Sequence, residues 1–237
     1  MNDVGDPFDT AVAARDRGIA VDLGAPGGPL LVAFGGWGGA MAMPPFEFFR
    51  VTSSLSVNRL FVRDLQQCWY HRGVPELGRD IDEVAASIGA MIERERPSRV
   101  VVTGNSIGGY AALLFGCLLG ADTVIAFSPR TYMGRVRRVA HLEVRGIVRH
   151  WRVYGRGVGD RRYFDLRRVI AARPPASEID FHVHVSTTER IDMAHARHLA
   201  GLSNVRTHAY GFGGHALVRS LRDRGLLEPI LRDALFP

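Results

Sequence analysis

The chain has 237 residues, with 30 basic and 24 acidic side chains giving a formal net charge of +6, and 46% of it is hydrophobic. That content suffices for a full core in a single domain over 1–237, and with only Cys68 and Cys117 it excludes a small disulfide-stapled fold. No apolar run reaches the roughly 18 residues needed to cross a bilayer. The opening "MNDVGDPFDTAVAARDRG" carries acids early and no cationic stretch ahead of an apolar one, so a cytoplasmic location is expected.

Short runs rich in Val, Leu and Phe alternate with longer stretches of helical period. Strands are expected at Ile19–Leu23 and Leu30–Phe34, the second running into the glycine loop "GGWGG", and at Arg59–Arg63, which leads directly into Asp64. Next comes "DIDEVAASIGAMIERERP", with Ile81, Val84, Ala85, Ile88 and Ile92 on one helical face and a stop at Pro97. A strand at Arg99–Thr103, a turn "NSIGG" and a helix over Ile107–Leu119 follow, the helix holding Cys117 as a buried free thiol. A strand at Thr123–Phe127 then opens a long excursion that returns through "ARPPAS" to a strand at Phe181–Ser186. A helix over Asp192–Gly201, a strand at Asn204–Tyr210 and a helix over His215–Arg224 complete the series. About seven strands alternating with helices predict an α/β fold with a mostly parallel central sheet covered on both faces.

All 30 basic residues are arginine, and residues 130–173 hold thirteen of them against Glu143, Asp160 and Asp165. The segment is therefore net +10 while the rest of the chain is net acidic. Two readings stand: a solvated surface, or an anion-attracting lid over a site. Aromatic residues are sparse in the segment and no nucleic-acid-reading motif is present, so nucleic acid is not an expected partner.

Chemistry concentrates at "RVVVTGNSIGGYAALLFG". A serine between glycines two positions away on either side, placed between strand and helix, fits a nucleophile elbow, a sharp turn that leaves the Ser106 hydroxyl exposed above the sheet. The Ile107 amide at the helix N-terminus would face a developing oxyanion. A serine needs a base, and the base needs an orienting acid. His215 in "YGFGGHALVRSL" supplies the first; Asp192, with Glu189 as the alternative, supplies the second from "VSTTERIDMAHARHL". Glycines in "LLVAFGGWGGA" let the backbone approach a carbonyl, so Gly36 or Trp37 is the expected second amide donor. Trp37 and Asp64 are also candidates to line the pocket, although an aromatic plug and a helix cap are their plain structural roles.

Elbow, glycine loop, acid and histidine in this order resemble the α/β-hydrolase superfamily from about Leu30 onward. The resemblance implies a Ser106, His215, Asp192 triad that forms an acyl-enzyme on a carboxylic ester or thioester of a small molecule or glycan, with anionic substrates favoured by the arginines. It implies no cofactor and no metal. The sequence departs from the pattern in having Phe34-Gly35 where His-Gly is usual before the oxyanion residue, and "STTERID" where Gly-x-x-Asp is common. The stretch "LFVRDLQQCWYHRGV" is similar to one in uncharacterised bacterial members, some associated with surface-polysaccharide genes. An acyltransferase on the same triad, and a catalytically silent module binding an anionic glycan or a protein, are the alternatives. His182 and His184 in "FHVHV" share a strand face, but no further ligand accompanies them in the sequence, so they read as packing groups, as do His195 and His198. "GRGVGD" lacks a preceding strand and is not read as a phosphate loop.

Overall fold

The computed structural model describes residues 16–36, 48–134, 159–173 and 179–237. Seven strands, β1 (Ile19–Asp22), β2 (Leu30–Phe34), β3 (Asn58–Val62), β4 (Val100–Asn105), β5 (Thr123–Phe127), β6 (Asp180–Ser186) and β7 (Val205–Tyr210), form one sheet in the order β1-β3-β2-β4-β5-β6-β7. β1 runs antiparallel to β3, and every other pairing is parallel. The helices are α1 (Phe49–Thr52), α2 (Ile81–Glu95), α3 (Ile107–Leu119), α4 (Leu166–Ala171), α5 (Arg190–Leu199), α6 (Leu217–Asp223) and α7 (Leu227–Leu235).

The two-residue period of the strands divides their side chains between two cores. Val32, Phe34, Leu60, Val62, Val102, Val124 and Val183 pack with Ile81, Val84 and Ile88 of α2 and the apolar body of α3. Leu31, Ala33, Phe61, Val101, Ile125 and Phe127 face α6 and α7 through Leu217, Leu221, Leu227 and Leu231. A strand buried on both faces has no polar alternation, which is why β2 reads as an unbroken apolar run and β5 as one after Thr123. α2 starts where the Asp80 carboxylate accepts the Glu83 amide, and it ends at Arg96 in the left-handed region just before Pro97.

Strand bounds fall within a residue or two of expectation, and differences at the helices have local causes. Glu189 caps α5, so that helix begins at Arg190 and not Asp192. A 3₁₀ turn over Gly214–Ala216 precedes α6, so His215 lies before the helix and not in it. α1, α4 and α7 have no counterpart among the expected helices. α4 lies inside the arginine-rich excursion, and residues 135–158 and 174–178 of that excursion, including most of "GRGVGD" and "ARPPAS", lie outside the described residues.

The returning limb of the excursion is tied to the core by a buried relay. The Asp160 amide donates to His71 Nδ1 at 3.2 Å, His71 Nε2 meets the Tyr110 hydroxyl at 3.1 Å, and that hydroxyl donates to the Tyr163 carbonyl at 2.8 Å. Burial pushes His71 down to about 4, the neutral form this relay requires. Tyr163 in turn donates its hydroxyl to Asp82 of α2. Cys68 and Cys117 are buried and form no disulfide.

Candidate active site

β4 ends at Asn105 and α3 starts at Ile107, which leaves a single residue to reverse the chain. Ser106 takes that position at φ 57°, ψ −110°, a strained conformation for a residue with a side chain. The flanking glycines are needed for close approach: a Cβ on Gly104 would stand 2.1 Å from the Gly108 carbonyl oxygen, and one on Gly108 would stand 2.2 Å from that of Phe34. The elbow is held from below, with the Ser106 amide donating to the Phe127 carbonyl of β5 at 2.9 Å and the Ser106 carbonyl accepting the Tyr110 amide at 3.0 Å.

Three side chains distant in sequence meet above the sheet. Ser106 Oγ lies 3.0 Å from His215 Nε2, and His215 Nδ1 lies 2.8 Å from Asp192 Oδ2 and 3.0 Å from Oδ1. A carboxylate only accepts, so the network puts the proton on Nδ1 and leaves the Nε2 lone pair facing the serine hydroxyl. Asp192 is fully buried, and His215 is part-exposed. A buried carboxylate needs more than one partner. Arg130 provides the second, with Nη1 3.2 Å from Asp192 Oδ1.

Glu189, the alternative acid, is turned to another task, its carboxylate accepting the Ile191 amide at 3.3 Å as the cap of α5. Arg130 was not singled out in the sequence, where it is one arginine among thirteen; only the fold brings the residue after "FSP" beside a carboxylate 62 positions later.

Ile107 is the first residue of α3, and the amides of a first helical turn have no intrahelical acceptor. The end of β2 lies against the start of α3, with Phe34 and Gly35 close to Gly108, and Gly36 is the next residue. Trp37 lies outside the described residues. Asp64 is buried and does not join the hydrogen-bonded group. Burial raises its pKa, its Oδ2 accepts the Tyr70 amide at 3.0 Å, and the Tyr70 hydroxyl donates to the Gly35 carbonyl at 2.8 Å. Asp64 thus shapes a turn that braces the glycine loop.

His195 and His198 are structural. His195 Nδ1 accepts the Thr131 amide at 3.0 Å, and His198 Nε2 pairs with Asp165 at 2.8 Å. For His182 and His184 the expectation that no further ligand accompanies them is corrected: the parallel register of β6 and β7 places His208 opposite His184, and the three imidazoles cluster.

The fold is that of the α/β-hydrolases, with the strand-turn-helix elbow at the carboxyl edge of a mostly parallel sheet. No protein-family model matches the chain, and no curated protein matches its sequence. Among solved structures, it is similar to the capsule O-acetyltransferase of Neisseria meningitidis serogroup A (15% identity, 90% of each chain covered, TM-score 0.67), a variant of which has been solved in complex with CoA. It is also similar to brefeldin A esterase, a bacterial homologue of human hormone-sensitive lipase (17% identity, 92% of this chain and 70% of that one, TM-score 0.57). Est1E from Butyrivibrio proteoclasticus aligns over 92% of this chain and 94% of its own at 10% identity and a TM-score of 0.57. No helix among the described residues is long and apolar enough to cross a membrane.

Proposed function

We propose that this chain is a serine hydrolase that cleaves a carboxylic ester or thioester through an acyl-enzyme on Ser106. The observation that carries the reading is the continuous row from Ser106 Oγ through His215 to Asp192, at 3.0 and 2.8 Å, on a strained elbow. Ser106 Oγ attacks the carbonyl carbon while His215 Nε2 takes its proton, and Asp192 holds the imidazole in the required tautomer and stabilises the imidazolium. The developing oxyanion is met by the Ile107 amide, with Gly36 or Trp37 as second donor. His215 returns the proton to the leaving alcohol or thiol. Water, deprotonated by the same nitrogen, then releases the acid and restores the serine.

Residues 130–173 serve in this reading as a lid whose net charge of +10 draws acyl esters of anionic small molecules or glycans. The mechanism needs no metal or cofactor.

A second reading, acyl transfer to a sugar hydroxyl, is favoured by the alignment over 90% of both chains with a capsule O-acetyltransferase and by the CoA complex of that protein's variant. Both readings share the acyl-enzyme and differ only in what resolves it. The decisive experiment is labelling with a fluorophosphonate, which phosphonylates an activated serine. Wild-type protein should label and Ser106→Ala and His215→Ala should not; undiminished labelling or ester turnover in Ser106→Ala overturns the proposal. Product analysis with an acyl ester or acyl-CoA, with and without polysaccharide acceptors, then separates hydrolysis from transfer.

A further inference from the structure

On the sheet face opposite the α2–α3 core, the last two strands carry a row of imidazoles outside the proposed catalytic group. His182 and His184 project from β6, and His208 of β7 stands directly across from His184 in the parallel register. His182 Nδ1 and His208 Nε2 are 3.0 Å apart, with the two rings within 8° of parallel. The His184 ring lies over that of His208, 4.4 Å between centroids and 12° from parallel. One nitrogen from each of the three falls within 4.8 Å of the others.

We propose that His182, His184 and His208 form a three-histidine site for a divalent transition metal of the imidazole-binding class, with Zn²⁺ as the representative ion. Nitrogens bound at 2.0–2.1 Å to a tetrahedral ion are about 3.3 Å from one another. The His182–His208 separation is already within a few tenths of an ångström of that value, and modest rotation about the ring torsions brings in His184.

His184 is 3% exposed; its Nδ1 is engaged by the Tyr210 hydroxyl at 2.9 Å, while its Nε2 is buried without a hydrogen-bond partner. A partner on one ring nitrogen is the usual means of fixing the other as a metal ligand. An unpartnered buried nitrogen is also a cost that a metal bond removes. Burial lowers all three histidines below their ordinary value, His184 to about 3, with neighbouring imidazoles adding to the effect at His182 and His184 and Arg206 adding to it at His208.

His182 and His208 are half-buried, which leaves the cluster open to ions from solvent. The nearest cation along the row, Arg206, is held in an ion pair with Asp180 at 3.0 Å. Three protein ligands leave a fourth position for water. Bound there, the ion would clamp β7, at the sheet edge, to β6, the strands that lead respectively to His215 and Asp192.

The test uses tag-free full chain stripped with a chelator and titrated with Zn²⁺ by calorimetry, with bound metal counted after dialysis. Wild type and His215→Ala should each bind one equivalent. The His182→Ala/His208→Ala double variant, its fold checked by circular dichroism, should bind at least roughly tenfold more weakly, since even loss of a group supporting a ligand costs that much. At roughly a hundredfold excess over Kd, Zn²⁺ should raise the Tm of wild type by roughly 5–10 °C and leave the double variant unmoved. Should the double variant not fold, His208→Gln replaces it, and Co²⁺ added to wild type should give the intense visible bands of tetrahedral nitrogen ligation. Absence of saturable one-to-one binding, equal binding by a folded double variant or by His208→Gln, loss of binding in His215→Ala, or a Co²⁺ spectrum of the aqueous octahedral ion would each overturn the site.

Discussion

Asp192→Asn preserves shape and removes only the charge and one acceptor, and the surroundings fix the outcome. Arg130 Nη1 donates to Asp192 Oδ1 at 3.2 Å, while the closer oxygen to His215 Nδ1 is Oδ2 at 2.8 Å. An amide in that place keeps its oxygen toward the arginine and turns its NH₂ toward the imidazole. Nδ1 must then accept, the proton moves to Nε2, and it confronts Ser106 Oγ 3.0 Å away, where a lone pair is required. The wrong tautomer costs about 10³–10⁴ in kcat, equivalent to roughly 4–5.5 kcal/mol of barrier. The assay is steady-state hydrolysis of a chromogenic acetate ester together with the rate of fluorophosphonate labelling, with Glu189→Gln as the comparison. Glutamine retains an oxygen for the Ile191 amide, so that variant should stay within about threefold of wild type. An Asp192→Asn enzyme within tenfold of wild type, or a larger loss in Glu189→Gln, would refute the assignment of the acid.

Three other outcomes follow from the packing and the charge distribution. Gly108→Ala, whose Cβ would lie 2.2 Å from the Phe34 carbonyl oxygen, should lower stability by roughly 3 kcal/mol, read as a shift in urea midpoint, and should reduce turnover because Phe34 and Gly35 are pushed off the elbow. His71 is held near 4 when folded and stands near 6.5 when unfolded, so the unfolded chain binds the extra proton between those values. Its contribution is full above about pH 6.5 and falls by up to about 1.4 kcal/mol per unit as pH drops toward 4. His71→Gln should show a shallower loss than wild type between pH 7 and 5, and equal slopes in chemical denaturation would contradict the buried relay. Finally, the ratio of kcat/KM for an acidic ester to that for a neutral ester of equal length should fall between roughly 0.01 and 0.1 M salt as the Debye length shortens from about 30 to 10 Å. Charge neutralisation at Arg135, Arg137 and Arg138 should weaken that fall; an unchanged ratio would mean that these arginines only solvate a surface.

Much of the architecture is legible because burial on both faces leaves a strong mark. β2 and β5 coincide with the expected strands since a strand covered on each side is mostly apolar, and α3 is bounded by features visible in sequence, the elbow before it and Gly120 after it. α7 escaped notice because Pro229 stands inside it, in the first turn where its missing N–H has no partner to lose. α4 was hidden within a charge pattern with no clear period. Ser106, His215 and Asp192 could be proposed from local context, a turn, a glycine loop and a helix start. Arg130 and His208 could not, because each acquires its neighbours only through contacts between separate elements: Arg130, after β5, meets Asp192 on α5, and the register of β7 on β6 aligns His208 with His184, which nothing in either strand's own sequence states.

The offset of 109 positions from Ser106 to His215 also sets an order of events during synthesis. A ribosome delivers the strained elbow and most of the sheet well before the edge strand and the histidine loop that follows it. For that interval the nascent protein carries its serine without a base. On the proposed mechanism, esters in the surrounding solution would meet an inert hydroxyl until the last parallel strand docks and the histidine loop after it reaches the elbow.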